Sequence, residues 1–381
     1  MNNHFSCLLF LIFTTSLPAI SGECDNWKER HSQWIFCDDF EDTDALVKPG
    51  RYFEYDDNDG DFVNSNGVGL NGTYGMQVRF QEGEVGAGGL KVAFGRNPVS
   101  YMNKQGIRSD EDFREIYYRM YLKMQEGWNG NPGKLSRATC FPYADDWRQA
   151  MIAHLWSDDD EHLLIDPASC IDNNGNVVCT KYNDFDHLDW LGNKSGSTPL
   201  FSTEYSNRWF CIEHHVKLND PGQSNGIQEF WIDGNLEARK EELNFIGSFD
   251  AYAINAVFFE NYWNSGSVKL QERYFDNIVI STQPIGPVEN ASINHISPKK
   301  VYGSDVTISL RKGNMIRFKA NHKISRIMLF DASGSVIADQ NVSNTHTVST
   351  DCSYLVSGVY FYRILFINKS VYPIAGKLVM Y

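Results

Sequence analysis

Trp209-Phe-Cys-Ile-Glu-His-His-Val-Lys-Leu-Asn-Asp-Pro-Gly-Gln-Ser-Asn-Gly-Ile-Gln-Glu-Phe-Trp-Ile-Asp-Gly234 writes a long antiparallel hairpin in one line. Its period is two. Ile212, His214, Val216 and Leu218 share one face, Asn219 to Gly226 form a turn rich in Pro, Gly, Asn and Asp, and Ile227 to Ile232 run back to a tight Asp233-Gly234 turn. Alternating segments recur at Tyr74 to Phe80, Leu90 to Phe94, Glu115 to Met124, Gln149 to Trp156 and Ala253 to Phe259. Trp34-Ile-Phe-Cys-Asp-Asp-Phe-Glu41 opens the series and Arg273-Tyr-Phe-Asp-Asn-Ile-Val-Ile-Ser281 closes it. No long stretch carries a helical period. The pattern predicts an all-β chain of two stacked antiparallel sheets. With 381 residues, 42% hydrophobic and 14% aromatic, there is material for one large β domain and one small one.

Residues 1–22 contain no Lys, Arg, Asp or Glu, hold an apolar run from Leu8 to Phe13 and end in small residues at Ala19-Ile-Ser21, the pattern of a secretory signal peptide. Glu23 before Cys24 breaks the pattern of a lipoprotein cysteine, so soluble export is expected. No other apolar run reaches spanning length, which argues against a transmembrane segment. Seven cysteines remain beyond the signal, an odd number. In an oxidising compartment Cys170 and Cys179, which bracket the turn Asp172-Asn-Asn-Gly175, are expected to pair, and Cys24 with Cys37. For Cys211 and Cys352 a buried free thiol is an equal alternative.

The formal charge is −14, yet residues 303–381 hold nine Lys and Arg against four Asp, a local +5 that leaves −19 for the rest. The two parts are chemically different. The acidic part argues against nucleic acid as a partner, because phosphate contacts need clustered positive charge. An acidic polysaccharide in turn requires a local basic cleft or bridging cations. Pro284-Ile-Gly-Pro287 and the stretch from Val288 to Pro298 have the Pro, Gly, Asn and Ser content of a linker. The expected layout is a signal peptide at 1–22, a main domain at 23–284, a linker at 285–302 and a small β domain at 303–381, in a monomer.

The hairpin resembles that of concanavalin-like jelly rolls, the scaffold of many polysaccharide lyases, glucanases and laminin-G-type binding modules. Gly133-Lys-Leu135, Lys217-Leu-Asn219 and Phe275-Asp-Asn277 resemble family 14 polysaccharide lyases and related heparin-lyase-like jelly rolls, over roughly residues 34–281. The resemblance implies a place in the catalytic cleft for Lys134. Where the family continues with an Arg and a Tyr-x-Tyr pair, this chain reads Ala150-Met-Ile-Ala-His-Leu-Trp156 and His162-Leu-Leu-Ile-Asp166. Ile327-Met-Leu-Phe-Asp-Ala-Ser-Gly-Ser-Val-Ile337, Leu355-Val-Ser-Gly-Val-Tyr360 and Lys377-Leu-Val379 resemble the C-terminal sorting domain of the type IX secretion system of Bacteroidota. That resemblance implies an address label, removed at the cell surface, with the secretion machinery as partner. An ordinary small β-sandwich binding module is the alternative.

On Glu115 to Met124, Tyr117, Arg119 and Tyr121 alternate with Tyr118, Met120 and Leu122, which sets a polar aromatic face beside a basic loop at Gly133 to Arg137. Aromatic rings stack on pyranoses and cations neutralise uronates, so this is a candidate sugar cleft; side chains that merely cover a sheet are the other reading. β-Elimination needs a carboxylate neutraliser, a base for the C5 proton and an acid for the leaving oxygen. Lys134 or Arg137 is the candidate neutraliser, His154 the base, Tyr118 or Tyr121 the acid, with Arg119, Arg148, Trp128 and Tyr262 binding sugar. The reading of His154 as a satisfied sheet histidine stands ahead of the reading as a base facing the cleft. The alternative function is a non-catalytic carbohydrate-binding or adhesion module contacting its ligand through Trp128, Trp147, Tyr118 and Tyr262. A glycoside hydrolase would require two carboxylates facing each other across the groove. His214 and His215 lie on opposite faces of one strand and do not share a metal. Asp39, Glu41 and Asp276 stand on the first and last strands, where pairing brings them together as ligands for a structural calcium ion, or leaves them as solvated strand-end acids.

Overall fold

The computed structural model describes residues 22–70, 72–144, 146–288, 306–311, 315–331, 336–351, 358–367 and 374–380. The segment expected to be a signal peptide, up to residue 21, most of the expected linker, Cys352 and residues 332–335 of the expected Asp331–Gly334 turn lie outside the described residues. The chain divides into two compact units, 1–292 and 293–381.

The first unit is built from β1 (Trp34–Asp38), β2 (Glu54–Asp56), β3 (Phe62–Asn66), β4 (Tyr74–Phe80), β5 (Gly86–Ala93), β6 (Glu115–Met124), β7 (Lys134–Cys140), β8 (Met151–Ser157), β9 (Leu163–Ser169), β10 (Asp189–Trp190), β11 (Lys194–Ser195), β12 (Trp209–Lys217), β13 (Gly226–Ile232), β14 (Asn235–Leu243), β15 (Ala256–Tyr262) and β16 (Gln271–Ser281). They form two antiparallel sheets. One runs β14-β13-β12-β6-β16-β4-β3 with β1 beside β16; the other runs β10-β9-β8-β7-β15-β5-β2 with β11 beside β9. First and last strands pair, Trp34 opposite Ser281 and Asp38 opposite Ile278.

Period two decides what each strand buries. From the first sheet, Ile116, Met120, Leu122 and Met124 of β6 and Phe210, Ile212 and Val216 of β12 point inward; from the second, Ala138, Leu155, Leu90, Val257 and Phe259 meet them in one core. The outer face of the second sheet is partly covered. Phe53, Val99, Met102 and Phe141 pack on Ala93, Ala256 and Phe258, and Cys170, Cys179 and Leu188 pack on Ile152 and Ala168. Cys24–Cys37 and Cys170–Cys179 are disulfides, while Cys140 and Cys211 are buried free thiols.

The basic segment expected to be a loop at Gly133 to Arg137 is instead the start of β7, central in the second sheet between β15 and β8. The second unit is a five-stranded antiparallel sheet of β17 (Val306–Arg311), β18 (Met315–Phe330), β19 (Val336–Asp351), β20 (Gly358–Phe366) and β21 (Ile374–Met380), with Ile316, Phe318, Ile327, Leu329, Ile364 and Phe366 in its core.

Asp233 (φ 51°) and Gly234 (φ 75°) occupy the two left-handed positions that close the β13–β14 hairpin. Gly234→Ala is expected to lower stability by about 1 kcal/mol, read as a lower urea midpoint with an unchanged slope. An unaltered midpoint would show that the turn tolerates a side chain.

Candidate functional site

Register carries one row of side chains across the second sheet. Asp166 of β9 stands opposite His154 of β8, His154 opposite Arg137 of β7, Arg137 opposite Phe258 of β15, Phe258 opposite Lys91 of β5, and Lys91 opposite Glu54 of β2. The neighbouring row sets Trp156, Lys134 and Tyr262 side by side. Both rows lie on the outer face, because Ala153 and Leu155 of β8 and Ala138 of β7 fill the core.

Lys134 is half-buried, and its Nζ lies 4.2 Å from the ring centroid of Tyr262, 5.7 Å from Phe185 and 5.8 Å from Trp156. Among the described residues its ammonium has no hydrogen-bond or ion-pair partner. Burial holds its pKa below the usual lysine value, with Glu260 opposing that shift and Arg137 adding to it. Tyr262, Phe185 and Trp190 are about two-fifths exposed around it, a surface on which pyranose rings can stack.

Beneath this surface Arg137 is fully buried. It donates to Glu260 Oε1 (2.5 Å), Asn183 Oδ1 (2.5 Å) and Tyr182 Oη (2.7 Å). Tyr182 thus accepts from a cation and keeps its own proton to give; burial lifts its pKa to about 12. The loop carrying Tyr182 and Asn183 is tied down at both ends. Cys170–Cys179 anchors its start, and Asp184 accepts from the Thr180 backbone N–H and hydroxyl and pairs with His187 at 2.9 Å. The Trp147 ring meets Tyr182 edge-on at 5.5 Å.

His154 is fully buried between Trp156 and Trp190; its Nδ1 lies 2.9 Å from Asp166 O and its Nε2 has no partner. Burial, with Arg137 nearby, depresses its pKa far below the ordinary histidine value, so the ring is neutral. Asp166 shifts the opposite way, lifted by burial to about 6.

The other residues expected at the site lie elsewhere. Tyr118 faces the core, fully buried, between Ser136 Oγ (3.0 Å) and His214 Nδ1 (2.5 Å). Arg119 and Tyr121 are on the outer face of the first sheet, since β6 belongs to that sheet and β7 to the other. Arg119 binds Glu23 and the carbonyls of Asn277 and Gly286, and Tyr121 Oη accepts from Val288 N (2.9 Å). Trp128 is a core residue stacked on Trp263, its indole donating to Gly130 O (2.8 Å). Arg148 is on the 141–150 loop, paired with Asp146 under the Tyr143 ring. Tyr182, Asn183 and Glu260 went unnoticed in the sequence because nothing in their local pattern separates them from turn and strand residues.

Asp276 is buried, with Oδ2 accepting from Leu70 N (2.6 Å) and Oδ1 from Asn277 N (2.7 Å); Asp39 accepts from Cys24 N and Glu41 from Tyr74 N. Burial first, then the charges of Asp39 and Glu41, raises the Asp276 pKa. The three carboxylates are thus neighbours turned toward backbone donors, and among the described residues no three His, Cys, Asp or Glu are arranged to hold a metal ion.

Residues 304–380 match the family described as secretion system C-terminal sorting domain. That domain marks the chain for type IX secretion to the cell surface or beyond, and ahead of it in the sequence stands a β-sandwich of two antiparallel sheets. No curated protein matches the sequence. Solved structures that it resembles include an alginate lyase, vAL-1, from Chlorella virus (13% identity, TM-score 0.46, covering 64% of this chain and 98% of that one). Others are an endo-β-1,4-glucuronan lyase from the fungus Trichoderma reesei (13%, 0.41, 61% and 91%) and the PL-14 alginate lyase from Aplysia kurodai (11%, 0.44, 66% and 99%). No helix among the described residues is long and apolar enough to cross a membrane.

His214, buried in the core with its pKa pushed down to about 3, and His154 both resist protonation when folded. The unfolded chain takes up those protons below about pH 6.5, so each ring removes stability as pH falls, with a limiting slope of about 1.4 kcal/mol per pH unit. The raised carboxylates Asp276, Asp39 and Asp166 act in the opposite sense. The difference between parent and His214→Asn isolates one ring. Denaturation at pH 7, 6, 5 and 4 should show a shallower acid loss in the variant; parallel curves would contradict the assignment.

Proposed function

We propose that the first unit is a lyase acting on a uronate-bearing polysaccharide, with its site on the outer face of the second sheet. The observation that carries this reading is Lys134: a desolvated ammonium with no carboxylate within ion-pair distance among the described residues, set among three aromatic rings in a chain of net charge −14. An anion held on a sugar ring supplies what that arrangement lacks. In the proposed reaction Lys134 binds the uronate carboxylate and so acidifies the C5 proton. The neutral His154 Nε2 accepts that proton, and the C4–O bond breaks as a C4–C5 double bond forms. Tyr182, whose oxygen is held by Arg137, protonates the leaving oxygen. Arg137 is a positioning residue for Tyr182 and Asn183, and Tyr262, Phe185 and Trp190 bind sugar faces.

The test is to incubate the full secreted chain with alginate, glucuronan, heparin-like and pectic polymers and follow absorbance of the unsaturated uronate. Lys134→Ala is expected to remove the signal and Tyr182→Phe to lower kcat at least 100-fold. The second reading, a carbohydrate-binding module on the same aromatic surface, takes over if no polymer gives absorbance while one of them retards the protein in affinity electrophoresis.

A calcium ion at Asp39, Glu41 and Asp276 is a separate proposal, supported by the crowding of three carboxylates at the paired first and last strands. Millimolar calcium should then raise the melting temperature, EDTA should reverse the rise, and Asp276→Asn should abolish it. A melting temperature indifferent to calcium removes the ion from the account.

A further inference from the structure

The arrangement at Lys134 occurs a second time, on the other sheet. Trp209 of β12 stands opposite Lys123 of β6, and Lys123 opposite Tyr274 of β16, so the three side chains form a row across adjacent strands on the outer face of the first sheet. Lys123 Nζ lies 4.9 Å from the ring centroid of Trp209 and 4.7 Å from that of Tyr274. All three are half-buried. Among the described residues Lys123 has no carboxylate within ion-pair distance, although acidic residues outnumber basic ones across this unit. Glu272, two residues before Tyr274 on β16, is already taken up by the Tyr274 hydroxyl (2.7 Å) and by Arg79 (3.3 Å).

An ammonium between two ring faces is attracted by their π electrons, and it keeps its hydrogen-bond donors free for an anion. Burial is the sole cause moving its pKa, downward, the same direction and the same leading cause as at Lys134. Two strand spacings separate Trp209 from Tyr274, about 10 Å, enough for two sugar rings laid side to side with an acidic group between them. An adjacent-strand row on a rigid sheet is preorganised for such a ligand.

We propose that Trp209, Lys123 and Tyr274 form a second, non-catalytic binding site for an acidic polysaccharide strand, its sugar faces on the two rings and its anionic group on Lys123. This rests on the reading that the protein acts on such a polymer, and extends it. Because the two rows are on opposite faces of the sandwich, the second site holds the protein on one strand while the Lys134 face works on another, which raises retention without new contacts at the reacting sugar.

The test uses the full secreted chain in affinity electrophoresis through gels containing alginate, heparin or a neutral glucan, with Lys123→Met and Trp209→Leu compared with parent. Each variant is also compared in a Lys134→Ala background, which removes the other face from the measurement. Lys123→Met keeps the apolar stem and is checked for an unchanged melting temperature. Retention in alginate is expected to weaken about tenfold, the loss of one charge-assisted contact, with kcat on short uronate oligosaccharides unchanged. A loss confined to heparin assigns the anionic group as sulfate rather than carboxylate. Variants that migrate as parent in both acidic gels, or a parent that no acidic gel retards, overturn the site. If parent cleaves no polymer while Lys123→Met still weakens retention, the lyase reading fails and this one stands; if parent cleaves and the variants are indifferent, only this one fails.

Discussion

Polar side chains that cross the sandwich hold the candidate site in place. Arg273, fully buried on β16 of the first sheet, donates to Glu260 O (2.6 Å) and Asn261 Oδ1 (2.7 Å) of β15 and reaches Lys134 O at 3.5 Å. Gln228 of β13 donates to His154 O (2.7 Å) and to His214 Nε2 (3.0 Å), which leaves His214 Nδ1–H to donate to Tyr118; Tyr118 in turn meets Ser136. The strands reached in this way carry Lys134, Arg137, His154 and Glu260. Buried polar groups are costly unless satisfied, so the two sheets have one relative register in which these bonds all form. Burial lowers the pKa of Arg273 to about 9, a measure of how dry that tie is.

The outer face of the second sheet then reads as a set of opposed demands. Arg137 is neutralised by Glu260 and spent on orienting Tyr182 and Asn183, while Lys134 one row away is left without a counterion. The aromatic rings serve both purposes, desolvating the ammonium and offering flat faces to sugars. The loop from 171 to 193 is what makes the combination work, and it is held by a disulfide, by Asp184 and by packing of Leu188 on Ile152. The same logic applies to Lys123 on the opposite face, where the rings come from neighbouring strands rather than from a loop.

The alternation of Tyr117, Arg119 and Tyr121 with Tyr118, Met120 and Leu122 separated inward from outward side chains, and β6 has those two faces. It did not say which sheet the strand joins. Placing β6 beside the Gly133 to Arg137 segment put Tyr118, Tyr121 and Arg119 at one site with Lys134, whereas each strand is central in a different sheet. Tyr182 was invisible for the complementary reason: it comes to Arg137 from 45 residues away along an irregular loop with no period of its own.

The sequence by itself determined the local terms: extended segments from their period of two, the Asp233-Gly234 turn from the need for positive φ, the hydrophobic faces, and the export signals carried in the C-terminal residues. Only the tertiary structure decided which lysine lacks a carboxylate, which tyrosine receives a guanidinium and which histidine is stripped of water. The physical reason is range. Backbone conformation and amphipathic pattern are set by neighbours a few residues apart, whereas charge pairing and desolvation are set by whichever strands the sheet order brings alongside.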